Sequence, residues 1–463
     1  MTTMTHNPRY AAARRIALAL RERGHQAYFA GGCVRDLLLG VEAKDFDVAT
    51  SATPDVVLEL FPKALTVGAH FGVVLVREGG TSTEVATFRH DGVYSDGRRP
   101  DAVRFSSDPR EDVRRRDFTI NGMLLDPVVF EETGDATRAT LDYVGGRDDL
   151  AAGVVRAIGD PAVRFAEDKL RMLRGVRFAS RLGFEIEPRT MAAMRADAAD
   201  IHQVSSERIR DELTMMLTEG RARQAFELLD ATSLLAQVLP EVVRLHGVRQ
   251  PPEFHPEGDV WVHTMLLLEK LEAGASPTLS WGALLHDIGK PATFQPPDPR
   301  VPGDRIRFNG HVEVGVRMAE MILRRLHFST DEMEQIIALV KNHMRFGDVM
   351  HMRESTLKRF LRLPDFAEHL ALHRMDCLSA HGDLSLYEFA KRKYEEAPEE
   401  TIRPKLFVTG RELIAAGYKP GPRFKAMLET AEDAQLEGRA KTVEEALALV
   451  RERFGKPSRD VPA

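Results

Sequence analysis

Apolar and polar positions alternate along this chain in two rhythms. Up to about residue 150, short apolar runs are separated by Gly, Pro and Asp, which predicts strands joined by brief helices; beyond it the apolar spacing lengthens to that of helices. Residues 9–23 set Ala, Ile and Leu among arginines at helical spacing, predicting a helix packed on the first strand. Tyr28-Phe29-Ala30 reads as a short buried strand that breaks at Gly31-Gly32, after which Arg35-Asp36 lead into an apolar turn of Leu37, Leu38 and Leu39. A second strand then carries Asp45 and Asp47. Side chains alternate faces along a strand, so both carboxylates point the same way. Thr53-Pro54-Asp55 starts another helix, residues 65–80 read as a hairpin and residues 82–89 as a further strand. The class predicted is α+β: a small mixed sheet with helices on one side, then a mostly α-helical remainder.

Residues 163–184 place Phe165, Leu170, Leu173 and Val176 in one stripe and Asp168, Arg171, Arg174, Arg177 and Arg181 on another face. This predicts one amphipathic helix with an Asp168–Arg171 pair three residues apart. From residue 187 to about 246 the pattern stays helical and reads as a supporting neck and body.

At 463 residues the chain exceeds one ordinary core, which predicts three or four domains. A net charge of -6 gives no global attraction to nucleic acid, so RNA binding would need local basic surfaces. The two cysteines, Cys33 and Cys377, read as small buried residues of a reducing compartment. No apolar run is long enough to span a bilayer, and Arg14, Arg15, Arg21 and Arg23 stand where a signal peptide needs an apolar core; a cytoplasmic protein is expected. Residues 292–305 and 455–463 are Pro-rich and read as mobile.

Paired carboxylates on one face suit hard cations, and two Mg2+ ions held by them activate an attacking hydroxyl and steady leaving phosphate oxygens. The Gly31-Gly32 pair lets backbone N–H groups approach phosphates, and Arg35 offers a forked cationic contact. An Asp-x-Asp pair alone is commonly a solvated turn in a chain with 70 acidic residues. The order of strand, Gly-Gly, Arg, short helix and carboxylate strand is what gives it weight. Glu84 reads equally as a third carboxylate of this site or as an exposed strand glutamate.

GGCVRDLLLG followed by KDFDVAT resembles the catalytic core of the class II tRNA nucleotidyltransferase and bacterial poly(A) polymerase group, within the polymerase-beta-like superfamily. The resemblance implies that Asp45 and Asp47 bind Mg2+ and that Gly31, Gly32 and Arg35 hold a triphosphate. RRDFTIN matches the group's second motif, which implies nucleotide contact by Arg116 and ribose contact by Asp117 and Asn121. Arg98, Arg99 and Asp101 fall where members that add a whole CCA carry a mobile loop. The string EDxxR stands here as Glu167, Asp168 and Arg171. A carboxylate accepts from the exocyclic amino group of cytosine or adenine, while a guanidinium donates to the ring nitrogen beside it. Such a pair takes C and A and rejects U and G without a template. Arg174 and Arg177 would neutralise triphosphate or primer backbone.

A second constellation, His263, His286-Asp287, His311, His343 and Asp376, resembles the HD phosphohydrolase superfamily. Imidazoles and carboxylates on several helices suit a divalent metal of undetermined identity with a water nucleophile. Lys290 reads either as a phosphate contact or as a helix-end cation. GYKPGPRFK near the carboxy terminus resembles the tail motif of HD-containing tRNA nucleotidyltransferases, with Gly421, Arg423 and Lys425 as candidate RNA backbone contacts.

The organisation expected is a polymerase-beta-like nucleotidyltransferase head (1–150), a helical neck that binds nucleotide and RNA (151–245), an HD domain (246–395) and a tRNA-binding helical tail (396–463). The function expected is template-independent addition or repair of the tRNA 3'-terminal CCA from CTP and ATP. The rivals are a poly(A) polymerase, a CC-only or A-only enzyme, and an HD phosphohydrolase with an RNA-binding amino-terminal region. Against the first stands the string Val67-Gly68-Ala69-His70-Phe71-Gly72, where poly(A) polymerases of the group carry a basic pair.

Overall fold

In the computed structural model of the protein, which describes residues 7–68, 72–92, 102–253, 255–398 and 404–457, the amino-terminal half is organised on a sheet. Its strands are β1 (Ala27–Ala30), β2 (Asp47–Thr50), β3 (Leu65–Gly68), β4 (Val73–Glu78) and β5 (Thr81–Thr87). A small hairpin follows, β6 (Arg89–Asp91) and β7 (Val103–Phe105), and then β8 (Met123–Leu125) and β9 (Thr140–Asp142). Seven of these order as β3-β4-β5-β2-β1-β8-β9. The sheet is mixed, since β2 runs parallel to β5 while β1 is antiparallel to both β2 and β8. The register sets Val48 opposite Val85, which brings Asp47 and Glu84, each one residue earlier, to the same end of the parallel pair.

The helix Pro8–Glu22 starts at Asn7, whose side chain accepts from the Arg9 and Tyr10 amides, and buries Ile16, Ala17 and Leu20. Its Tyr10 ring meets Phe29 and Phe46 edge-on at 5.7 and 5.5 Å. That anchoring matters locally. Strand β2 begins at Asp47, so Asp45 lies in the irregular approach to the strand instead of within it as the pattern predicted. Alternation survives all the same, because Phe46 is pinned inward and its two acidic neighbours are turned out. Gly31 sits at φ 77°, ψ −134° before the helix Gly32–Leu38, a conformation an L side chain resists, which makes this turn depend on glycine.

The stretch 163–184 corrects the expectation of one helix. It forms two, Pro161–Glu167 and Leu170–Leu182, broken at Asp168, which is extended at φ −148°, ψ 109°. Both helices keep their apolar stripes in phase across the break, which is why the pattern concealed it. Helices Pro188–Asp197, Ser206–Thr218 and Ala222–Ala231 follow. The residues 98, 99 and 101 of the expected loop, and Ala69–Phe71 of the discriminating string, lie outside the described residues.

The chain divides into two compact units: Met1–Val243 with Glu272–Gly274 and Arg325–His327, and Arg244–Leu271, Ala275–Arg324 and Phe328–Ala463. The second is helical. Val260–Glu269, Pro277–Leu285, His311–Arg325, Thr330–Asn342 and Phe366–Ser379 form its centre; Glu368 of the last joins the second and fourth, accepting from Thr278 Oγ1 (2.7 Å), Gln335 Nε2 (2.9 Å) and Ser276 Oγ. The Pro-rich stretch read as mobile is closed off at its base, where its Gln295 and Arg307 just beyond it exchange backbone hydrogen bonds of 2.9 and 3.0 Å. Gly410–Ala415, Phe424–Leu436 and Val443–Phe454 pack a separate core around Leu413, Ala434 and Val450. Arg359 and Arg362 tie this tail to the helix Glu354–Leu361 region through Glu432, at 2.7 and 2.6 Å. Cys33 and Cys377 are both free and buried, as expected. No helix among the described residues is long and apolar enough to cross a membrane.

Candidate functional sites

Five separate parts of the first unit line one cleft of about 710 Å³: Gly31–Asp47, Arg115–Asn121, Asp168–Arg181, Arg208 and Glu219. Asp45 and Asp47 both face it, while Glu84 is outside its lining. Glu84 nevertheless acts on the site. Partial desolvation and the negative charge of Glu84 together push the Asp47 carboxyl up to about 6, with Arg116 opposing and Asp45 adding to the rise. Acidic groups crowded to this degree call for a cation. Arg9 supplies one at 3.1 Å from Asp45, in an exposed pair of little strength. The donor set, oxygens only, fits Mg2+.

Arg35 is buried and its guanidinium is occupied by Asp36 (2.7 and 2.9 Å) and the Asn121 side-chain oxygen (2.7 Å). It braces Asn121 at the wall. Asp112, fully buried, holds both Arg115 (2.6 Å) and Arg116 (2.9 Å). Burial alone would raise its carboxyl, and the two guanidiniums outweigh that and hold it below the ordinary 3.8. Asp117 follows the same logic: burial raises it, the charge and hydrogen bond of Arg174 at 2.9 Å lower it more, and the Phe118 amide adds to the lowering.

The Asp168–Arg171 pair predicted by helical spacing does not form. Arg171 donates instead to Glu167 and to the carbonyls of Arg164 (2.9 Å) and Arg115 (3.1 Å), whereas Asp168 accepts from the Leu170 amide (3.1 Å) and from Arg208 (2.9 and 3.4 Å). Each is fixed by other partners and both line the cleft. Arg177, expected to meet phosphate, is buried against Glu212 at 2.7 Å, and Arg174 is shared between Asp117 and Glu212. Sequence reasoning missed Asp112, Arg208 and Glu212. The spacing of Asp112 from Arg115 and Arg116 was a readable signal, but nothing links Arg208 to a carboxylate 40 residues away.

In the second unit, His286 and Asp287 stand at the end of Pro277–Leu285, His343 at the end of Thr330–Asn342, His311 at the start of its helix, and His263 and Asp376 within theirs. All six converge. Asp287 is the centre, its Oδ2 lying 3.2 Å from His286 and 3.9 Å from His263, its Oδ1 3.8 Å from His311 and 3.7 Å from His343; Asp376 is 3.1 Å from His263. Among the described residues three groups have ligand atoms close enough to hold an ion: His255, Glu257 and His263; His263, His286 and Asp376; and Asp287, His311 and His343. Gly289 makes the convergence possible. A Cβ there would come within 2.1 Å of the His311 carbonyl oxygen and 2.6 Å of the Gly315 nitrogen.

Nδ1 of His286, His311 and His343 lies 2.7–2.9 Å from the backbone oxygens of Ala283, Phe308 and Val340, so Nδ1–H donates and Nε2 turns inward with its lone pair. His263 differs, with Nδ1 held by Glu257 at 2.7 Å; Glu257 is shared with His255 at 2.9 Å. Burial pulls the His263 imidazole down, but Asp376 and Glu257 carry it to about 9, whereas burial of His343 takes it to about 4. Asp287 is held well below the carboxylate range, since Lys290 at 2.6 Å and His286 outweigh its burial. Lys290, buried and bonded also to Gln250 (2.7 Å), is a brace for Asp287. The Nε2 atoms of His263 and His286 are buried without an aligned hydrogen bond, which together with the mixed imidazole and carboxylate set fits a divalent ion. A cavity of about 660 Å³ opens onto Asp287, His311, His343 and Asp376, with Arg305 and Phe308 of the closed Pro-rich loop in its wall.

The sheet and its carboxylate cleft define a polymerase-type nucleotidyltransferase head, and the six-residue cluster an HD centre. Family models agree: the Poly A polymerase head domain matches residues 27–156, the probable RNA and SrmB-binding site of polymerase A residues 183–245, and the HD domain residues 259–381. The chain is 32% identical to the CCA-adding enzyme of Bacillus pumilus over 95% of its own length and 97% of that protein. It is 31% identical to that of Levilactobacillus brevis over 95% and 96%. The crystal structure of the Bacillus stearothermophilus CCA-adding enzyme in complex with CTP superposes with a TM-score of 0.72 at 26% identity, covering 96% of this chain and 98% of that one. The Thermotoga maritima CCA-adding enzyme complexed with tRNA shares the fold at a TM-score of 0.57 and 19% identity, over 98% and 97% of the two chains. The chain belongs to the CCA-adding enzyme family.

Because Asp112 and Asp117 are held below 3.8, their contribution to stability is present above that value and is lost as pH falls below it through their depressed native values. Protection of the amides at Asp112–Asn121, taken against the intrinsic exchange rate at each pH, is expected to fall below about pH 4. Asp112→Asn, which leaves two guanidiniums without their carboxylate, should cost about 3 kcal/mol at neutral pH and flatten that acid limb. In the HD centre, Glu257→Gln keeps shape but removes the charge that orients His263. Titration with Mn2+ should show affinity weakened about 10- to 100-fold; an unchanged affinity would mean Glu257 serves only to join two histidines.

Proposed function

We propose that this chain is a template-independent tRNA nucleotidyltransferase that builds or repairs the 3'-terminal CCA from CTP and ATP. The observation that carries the reading is the composition of one cleft: the paired carboxylates Asp45 and Asp47, the Gly31-Gly32 turn, and the Asp168 carboxylate with the Arg171 guanidinium share its wall. In this reading Asp45 and Asp47 hold Mg2+, with Glu84 tuning Asp47 from behind. Mg2+ held there would supply charge that lowers the pKa of the primer hydroxyl and steadies the departing pyrophosphate. The Gly31-Gly32 backbone and Arg116 receive the triphosphate, and Asp117 and Asn121, braced by Arg174 and Arg35, face the ribose. The primer 3' oxygen forms its bond to the α-phosphorus as the bond to the β-phosphate oxygen breaks.

Asp168 accepts the exocyclic amino proton of C or A, and Arg171 donates to the neighbouring ring nitrogen. Arg208 is a positioning residue that aims Asp168. Arg174 and Arg177 contribute positive potential while bonded to their carboxylates. We assign the work to a head (1–150), a neck (151–245), an HD domain (246–395) and a tail (396–463) that bears on tRNA, acting in the cytoplasm where tRNA is matured. The six converging HD residues support a second activity, hydrolysis of a phosphate ester at a damaged or cyclic-phosphate RNA end; they would hold a divalent ion, which would supply an activated water.

The test is incorporation of labelled CTP and ATP, separately and together, into tRNA transcripts ending before CCA, after C and after CC. Ordered addition that stops after A is expected, and Asp45→Ala with Asp47→Ala should abolish it while HD phosphatase turnover persists. Unlimited A addition would replace the reading with a poly(A) polymerase, and use of a single nucleotide with a CC-only or A-only enzyme. Arg208→Ala should raise misincorporation of UTP relative to CTP by about ten-fold, with the unfolding midpoint measured alongside.

A further inference from the structure

The tail holds a cavity that the nucleotidyltransferase and HD chemistry leave unused. Its volume is about 400 Å³, within the range of small-molecule pockets and large enough for one nucleotide. Two stretches that are far apart in sequence build it, 417–427 and 454–457, where the end of helix Val443–Phe454 returns beside the start of Phe424–Leu436. Phe424, Phe454 and Tyr418 supply aromatic surface, and Tyr418 is fixed by a 2.7 Å hydrogen bond from its hydroxyl to the Gly455 carbonyl. Lys419, Arg423 and Lys456 supply the charge, and no carboxylate lines the cavity. All three cations are exposed. In the head the arginines of the cleft wall are bonded to carboxylates of the protein, whereas here Arg423 and Lys456 line the cavity beside aromatic faces. Lys425, named with Arg423 by the sequence motif, does not line the cavity; Lys456 replaces it.

We propose that this cavity is a single-nucleotide RNA subsite, in which one unstacked base of bound tRNA lies against the aromatic wall of Phe424 and Phe454 while its backbone phosphate meets Arg423 and Lys456. Aromatic faces receive any base, and paired cations receive phosphate without reading sequence, so the subsite serves every tRNA alike. This rests on tRNA being the substrate proposed above and adds where and how one of its nucleotides is held.

The experiment uses the full chain and an unmodified tRNA transcript ending before CCA. Binding is measured against salt for the native chain, for Arg423→Ala with Lys456→Ala, and for Arg423→Lys with Lys456→Arg. The Ala variant is expected to raise Kd at least about five-fold and to lower the salt slope by about 1.4, two phosphate-neutralising charges at the single-strand value. The conservative variant should restore most of both, and a 4-thiouridine transcript should cross-link to peptides of 417–427 or 454–457. A free nucleoside monophosphate should not compete at concentrations near the tRNA Kd; competition at that level would make this a free-nucleotide site and overturn the proposal. Unchanged Kd and slope in a variant that unfolds at the native temperature would also overturn it. Absence of tRNA binding by the native chain would instead remove the functional reading and this inference together.

Discussion

Eight arginines line the head cleft, and like charges at such distances repel unless carboxylates are set among them. The local architecture is a solution to that constraint. Asp112 separates Arg115 from Arg116, Asp117 and Glu212 divide Arg174 and Arg177 between them, Asp36 takes Arg35 and Asp168 takes Arg208. A guanidinium bonded on one side still presents its remaining donors, so the wall is both fixed in shape and positive in potential. Buried pairs of this kind add little net stability, because desolvation offsets the attraction, yet removing one partner is costly. They define geometry more than they hold the fold together.

The HD centre solves the opposite problem. Six imidazole and carboxylate groups are drawn together by helix ends and by the backbone approach at Gly289, and Lys290 sits among them bonded to Asp287. Backbone carbonyls set three of the imidazoles in one tautomer, while a carboxylate sets the fourth. His263 therefore carries a different electrostatic environment from its neighbours, which is visible in the opposite shifts of His263 and His343.

Much of this was legible in the sequence, and the reasons are physical. Asp45 and Asp47 were readable because alternation about a buried aromatic is a local property, and it held even where the strand itself began later. The HD residues were readable because each sits at a helix position with a string around it. Asp168 defeated the pattern: two short helices with their apolar stripes in phase look like one long one, and the break shows only in backbone angles. Arg208 and Glu212 were invisible for another reason. They lie on a helix whose own spacing explains them as solvated charges, and their partners come from other parts of the chain.

The interlocking charges of the cleft restrict how this surface can change over time. A solvated lysine or glutamate can drift alone, but Arg177 and Glu212 are both buried, and loss of either leaves the other charged and uncompensated in a dry place. Substitution there is tolerated only when it comes in pairs. Across a lineage such positions are expected to move as linked characters, so the wall of the cleft inherits a resistance to gradual change that belongs to its bracing, and not to any ligand it meets.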